Sequence, residues 1–277
     1  MRGTSLIIAT YNWEAALDRV LASVQSQQVP PNEVIIADDG STSPTRDVVE
    51  RWTKKLRIPT RHVWQEDRGF RLAAIRNRAF AVAGYDYVLM IDGDMILHEQ
   101  FVADHIAFAR PGTYVQGSRV MIREAATRRI LSGDSVSLHP LARGIGNRVN
   151  AIRLPSLSRL FRGASGPIKR TRGANMAYWL SDVRRVNGFN EDIEGWGYED
   201  IEFVARLQNA GVARRNLKFA AVAYHLHHRT KPINPHANRE FFERVTREKL
   251  TWCANGLDKY TDPHSGGGVT ASARSNG

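Results

Sequence analysis

Apolar residues in this chain fall into short unbroken runs separated by stretches of helical spacing. Ser5–Thr10 and Glu33–Asp38 are β-rich apolar runs of strand length, as expected for strands buried on both faces. Between them, Glu14–Ser26 places Ala16, Val20, Leu21 and Val24 at helical spacing, and Pro30-Pro31 then breaks the chain. Thr45–Trp52 predicts a helix, Thr60–Trp64 a third strand, Leu72–Ala83 a helix and Tyr87–Ile91 a fourth strand. Strands alternating with helices across short connections predict an α/β fold, a mostly parallel sheet flanked by helices. Ligands of such sheets bind beyond the carboxyl ends of the strands. Thr10, Asp38, Asp39, Asp92 and Asp94 all fall at those ends.

The second half is less regular. Glu99–Phe108 predicts a helix and Tyr114–Ile122 one strand. From Arg123 to Lys169 repeated glycines and prolines predict loops and short helices. Regular structure resumes over Ala174–Leu180, with a helix after it that Ser181 would cap. Tyr198–Asn209 is amphipathic through Ile201, Val204, Ala205 and Leu207, with Gly211 beyond its end. Asn216–Phe219 and Val222–His225 predict short strands, and Arg239–Ala254 a helix. His264–Gly277, rich in Gly and Ser, is expected to be disordered.

Composition narrows the classes. The 277 residues are 42% apolar, enough for a substantial core. Cys253 is the single cysteine, which excludes an intrachain disulfide and fits a reducing compartment. The apolar stretch Leu6–Ala9 is too short for a signal peptide, and no run nears the roughly 20 apolar residues of a membrane span. A soluble or peripheral protein is expected. The net charge is +11, and Arg119–Arg172 alone holds eleven Arg and Lys169 against Glu124 and Asp134, a net +10. Such a segment attracts anionic lipid, nucleic acid or an anionic substrate, or is simply a solvated insertion. It contains Ser156–Arg162, a short amphipathic candidate for an anionic membrane surface. Phe161 is the only aromatic between Tyr114 and Tyr178, which argues against nucleic acid.

The candidate chemistry sits in three places. Tyr87-Val-Leu-Met-Ile-Asp92-Gly-Asp94 is an apolar strand ending in two aspartates, which a period-2 strand would put on one side. Such carboxylates repel unless a cation lies between them, so the segment is either a divalent-metal site or a solvated turn. Glu199 and Asp200 open a helix, where acids are also favoured by the helix dipole alone. His225, His227 and His228 cluster within four residues, and imidazole beside carboxylate suits Mn²⁺ better than Ca²⁺.

Several motifs in order resemble the family 2 glycosyltransferases with the GT-A (nucleotide-diphosphosugar transferase) fold. They are Ile8-Ala-Thr10-Tyr11-Asn12, Asp38-Asp39-Gly40-Ser41, Gly69-Phe70-Arg71, Arg76-Asn77 and Asp92-Gly93-Asp94. Arg172-Gly-Ala-Asn175 and Gly195-Trp196-Gly197-Tyr198-Glu199-Asp200 resemble the galactosyltransferase C-terminal signature, shared by bacterial chondroitin polymerase modules and β-1,4-galactosyltransferases. The resemblance spans about residues 5–230. It implies one catalytic domain over 1–262: a nucleotide-sugar half (1–118), the basic insertion (119–172) and an acceptor half (173–262). It implies an inverting, metal-dependent hexosyltransferase that moves sugar from a UDP-sugar donor to a glycan or lipid-linked acceptor in bacterial polysaccharide or lipopolysaccharide synthesis. The expected location is the cytoplasm, peripheral on the inner face of the plasma membrane.

Carried over, Thr10, Tyr11, Asn12, Asp39, Arg71, Arg76, Asp92 and Gly93 would bind the nucleotide-sugar, Asp39 through the uracil N–H. Asp94, His225 and His228 would hold Mn²⁺ (or Mg²⁺). Asp200 would be the general base and Glu199 would orient the acceptor. Trp196, Gly197 and Asn175 would meet the acceptor sugar. A sugar nucleotidyltransferase shares the architecture, but its Gly-rich, basic phosphate loop is missing at Thr10–Glu14. A non-catalytic relic would not need the full acidic set.

Overall fold

The computed structural model describes residues 1–158, 168, 171–229 and 238–261. The first half runs β1 (Thr4–Thr10), α1 (Glu14–Gln25), β2 (Glu33–Asp38), α2 (Ser43–Lys55), β3 (Thr60–Trp64), α3 (Leu72–Val82), β4 (Tyr87–Asp92), β5 (Met95–Leu97) and α4 (Phe101–Phe108). It continues through β6 (Thr113–Gly117), β7 (Val120–Ile122), α5 (Glu124–Leu131), β8 (Ile145–Gly146) and α6 (Pro155–Ser158). The second half contains β9 (Asn175–Trp179), α7 (Leu180–Arg185), α8 (Glu199–Asn209), β10 (Ala213–Leu217), β11 (Ala223–His225) and α9 (Arg239–Glu248).

Seven strands form the main sheet in the order β10-β6-β9-β4-β1-β2-β3. Only β9 runs against its neighbours, antiparallel to both β4 and β6. Alternate residues of the central strands enter opposite layers. Leu6, Ile8, Val34, Ile36, Leu89 and Ile91 pack with α1, α2 and α4. Ile7, Ile35, Ala37, Val88 and Met90 pack with α3, α7 and α8. Burial on both faces is why these strands are unbroken apolar runs.

A second sheet, β5-β11-β7-β8, carries a separate small core of Val120, Ile122, Ile145, Val222 and Tyr224. Its strands are two or three residues long, below the length at which periodicity is readable. Its existence corrects the reading of Tyr114–Ile122 as one strand. The chain leaves the main sheet at Gly117 and enters the small sheet at Val120. The Asn175 side chain lies against Gly117, so any Cβ there would clash with it.

Three further expectations are corrected. The late edge strand is Ala213–Leu217 rather than Asn216–Phe219. Its Arg214 and Arg215 hide a strand pattern yet are mostly buried, Arg215 stacking 4.0 Å over Phe108. The helix expected from Ser181 starts at Leu180 without a side-chain cap; Leu180 N–H donates to the Asp86 carbonyl instead. The helix expected to reach Ala254 ends at Glu248, where Lys249 turns left-handed at φ 53°. The expected disordered tail, and Arg159–Arg162 of the amphipathic candidate, lie outside the described residues. No helix among the described residues is long and apolar enough to cross a membrane.

Candidate active site

The loops at the carboxyl ends of β1, β2 and β4 meet on one rim. Asp39 N–H donates to the Thr10 carbonyl (3.0 Å) and Gly93 N–H to the Ala9 carbonyl (2.6 Å). A Cβ at Gly93 would come within 2.8 Å of the Ala9 oxygen, so only glycine allows this approach. Asn12, left-handed at φ 43°, donates its N–H to Ser41 Oγ, and its Oδ1 accepts Thr42 N–H. Tyr11 stands exposed at the rim, its hydroxyl donating to Asp67 (2.9 Å).

Asp39 is buried and accepts from Gln65 Nε2 (2.5 Å) and Arg71 N–H (3.0 Å). Burial raises its carboxyl above the usual range. Arg71 therefore serves Asp39 through its backbone, while its guanidinium bonds the Glu66 carbonyl. Asp38 is turned away, bonded to Ser41 N–H and His62.

Arg76 is 1% exposed and lies beneath the rim. Its Nη1 donates to Asp200 (2.7 Å) and its Nη2 to Asp92 (3.2 Å). Both acids raise its pKa against the opposing effect of burial. Arg76, expected at the nucleotide-sugar, ties the β4 acid to the α8 acid. The other Asp200 oxygen accepts Gly173 N–H (2.7 Å), and a side chain at Gly173 would strike that carboxylate. Asn175, expected at the acceptor, is bonded within the protein. It is buried, its Oδ1 accepts from His105 Nε2 (3.0 Å), and its Nδ2 donates to the Ser118 and Ala221 carbonyls. It clamps β9 to the exit of β6.

Strand β4 ends at Asp92, and Gly93-Asp94 form the turn into β5, so the period-2 argument for this pair does not hold. The turn nevertheless brings Asp94 to the histidines. Its Oδ2 lies 3.5 Å from His225 Nε2 and 3.4 Å from His228 Nε2. Candidate ligand atoms of all three lie within 4.8 Å of one another. The pairing Met95–His225 between β5 and β11, with Leu226 N–H on the Asp94 carbonyl (3.0 Å), fixes this meeting. Burial and then Asp92 push Asp94 up to about 8, while burial and then Arg119 push His225 down to about 3. Asp94 Oδ1 and His225 Nδ1 are buried without a partner. A neutral imidazole, a strained carboxylate and orphaned donor atoms fit a divalent cation. His227 is exposed and stands apart from this set.

On the α8 side, Gly195, Gly197 and Tyr198 have φ of 76°, 104° and 75°, a left-handed loop that lifts Trp196 into solvent (45% exposed). Gly195 N–H donates to the Phe70 carbonyl (3.0 Å), which ties this loop to half-exposed Phe70. Glu199 accepts Gly197 N–H (3.0 Å); burial and then Asp200 raise it to about 7. Two contributors escaped the sequence reading. Phe70 reads only as part of the Gly69-Phe70-Arg71 motif, with no role of its own. Arg119 looked like one more surface charge, yet it lies within the fields of Asp92, Asp94 and His225, with Nε buried and unbonded.

The comparisons now bear on this arrangement. The family model for Glycosyl transferase family 2 matches residues 5–164, more than half of the chain. The chain belongs to glycosyl transferase family 2. A second model, the N-terminal domain of galactosyltransferase, matches residues 161–229 of this glycosyltransferase, where the Trp-Gly-x-Glu-Asp motif lies. Validoxylamine A glucosyltransferase of Streptomyces hygroscopicus subsp. limoneus is 32% identical over 224 residues, 75% of this chain and 48% of that protein. Chondroitin synthase of Pasteurella multocida is 27% identical over 280 residues, 95% of this chain and 29% of that one. The chain thus spans half or less of the length of these relatives. S. aureus TarS 1–349, solved with UDP-GlcNAc, superposes with TM-score 0.63 at 19% identity, covering 89% of this chain and 66% of that one. The fold is GT-A, as expected.

Proposed function

We propose that this glycosyltransferase moves a hexose, with inversion, from a UDP-sugar to a hydroxyl of a glycan or lipid-linked acceptor in bacterial surface polysaccharide synthesis. The observation that carries the reading is the convergence of Asp94, His225 and His228 beside Asp92, which Arg76 joins to Asp200. Asp39, Thr10, Tyr11 and Asn12 would receive the uridine. Asp94, His225 and His228 would hold Mn²⁺ or Mg²⁺, which when bound supplies positive charge to the diphosphate. Arg119 adds a fixed positive charge on the same side.

Asp200 is the proposed base. A carboxylate offers about four acceptor positions. Arg76 and Gly173 occupy two, which hold the group in place and leave room for an acceptor O–H. As the acceptor oxygen bonds to the anomeric carbon, its proton passes to Asp200 and the bond to the diphosphate breaks, releasing UDP. Glu199, titrating to about 7, would hydrogen-bond an acceptor hydroxyl in either protonation state. Trp196 and Phe70 offer apolar faces to a pyranose ring.

The test is UDP release from a panel of UDP-sugars with Mn²⁺, Mg²⁺ or EDTA. Metal-dependent turnover of one donor, lost in Asp94→Ala and Asp200→Asn, is the expected result and names the sugar. Metal-dependent UDP binding without turnover of any donor would mark a binding relic. Neither binding nor turnover would point to another nucleotide.

A further inference from the structure

The small sheet presents an outer edge that the proposed transfer reaction does not use. Between Leu138 and Leu154 the chain turns some apolar residues inward and others outward. Ala142, Ile145 and Ala151 enter the small core. Leu141, Val149 and Leu154 are 79%, 54% and 49% exposed. Backbone bonds hold these positions on one body: Arg123 N–H to the Gly144 carbonyl, and Leu154 N–H to the Phe219 carbonyl. Asn150 adds a bond to the Arg119 carbonyl. The large apolar tips are thus built into ordered backbone, with nothing among the described residues to cover them.

Charge says what covers them. Arg123, Arg143 and Arg148 are exposed and make no ion pair among the described residues, whereas Arg128, Arg129 and Arg153 are paired with Glu124, Asp134 and Asp104. Three unpaired arginines among three aliphatic tips match an anionic bilayer: headgroup phosphates meet the guanidinium groups and acyl chains meet the aliphatics. Nucleic acid would match the charge but give Leu and Val nothing to contact, and the segment offers no aromatic for a base.

We propose that the edge of the small sheet, through Leu141, Val149, Leu154, Arg123, Arg143 and Arg148, docks on an anionic phospholipid bilayer. This places the contact upstream of the Ser156–Arg162 segment that sequence pattern suggested. Strand β8 pairs with β7, and β7 with β11, so the docked face lies two strands from His225. Docking there would hold the cleft beside the lipid surface. The surface contact stands independently of the transfer chemistry.

The experiment is co-sedimentation of the full chain with vesicles of phosphatidylglycerol or phosphatidylcholine, at low and high salt. Binding to phosphatidylglycerol at low salt, weakened by salt and lost on phosphatidylcholine, is expected. Replacing Arg123, Arg143 and Arg148 by Gln should weaken it about 100-fold, at about fivefold per arginine. Leu141→Ser, Val149→Ser and Leu154→Ser together should weaken it at least about tenfold at unchanged charge. Both variants should keep the wild-type melting temperature, since all six side chains are exposed. No binding of the wild-type chain at low salt would overturn the proposal. Serine variants that bind like wild type would reduce it to diffuse charge attraction and overturn it equally. Displacement of the vesicles by an oligonucleotide duplex would assign the face to nucleic acid instead.

Discussion

Two charged clusters lie side by side at the rim, and they are built by opposite rules. Around Arg76, opposite charges are matched: the buried guanidinium has Asp92 and Asp200, with only its Nε left unbonded, and the second Asp200 oxygen has Gly173 N–H. Around Asp94 they are not. His225 is held neutral, Asp94 is pushed up to about 8, and each keeps a buried atom without a partner. The contrast lies in charge: the Arg76 cluster is neutralised within the chain, which holds Asp200 in place for its proposed role, whereas the Asp94 cluster lacks a cation of its own.

The sharpest way to break this contrast is to remove one member of each. Arg76→Met strands two acids and should cost about 3–5 kcal/mol in urea unfolding. Asp94→Asn should leave stability equal or higher, while turnover falls on the order of 100- to 1000-fold. Equal destabilisation by both would erase the distinction. His225→Ala should abolish Mn²⁺ binding in calorimetry while the metal-free protein melts as before; retained binding would remove His225 from the ligand set.

A smaller effect comes from Glu199, whose carboxyl is raised from 4.5 to about 7. A raised carboxyl binds its proton more tightly in the folded state. Its stabilisation is thus present at low pH and lost as pH climbs between those two values. The loss should be on the order of 3 kcal/mol, and Glu199→Gln should flatten it. A wild-type melting curve flat from pH 5 to 8 would contradict the burial assigned to this group. The smallest effect is at the rim: Tyr11→Phe, which deletes an exposed bond to Asp67, should change stability by less than about 1 kcal/mol. Any larger change it makes should appear in KM for the donor.

What the sequence made legible follows from the same physics. Strands β1, β2 and β4 are buried on both faces, so their apolar runs announce them, and their ends carry the acids. Of the small sheet only β11 was legible, as Val222–His225, because strands of two or three residues have no readable period; in the main sheet, β10 was misplaced because Arg214 and Arg215 hide its pattern. Residue type alone could not separate Arg76 from Arg71. One is the sealed brace between two acids, and the other anchors Asp39 through its backbone. Nor does residue type show that Asn175 bonds the Ser118 and Ala221 carbonyls and so joins β9 to its neighbours. Arg119 could have been found only by knowing that β7 lies beside β11.

The pairing of β5 with β11 also has a kinetic meaning. Asp94 and His225 are about 130 residues apart along the chain, yet they meet through adjacent strands only three residues long. Contacts of such long separation carry a large loop-closure cost and tend to form late. The cation pocket should thus mature after the seven-stranded sheet. During refolding, acquisition of Mn²⁺ affinity would lag the recovery of secondary structure and serve as a clock for completed folding.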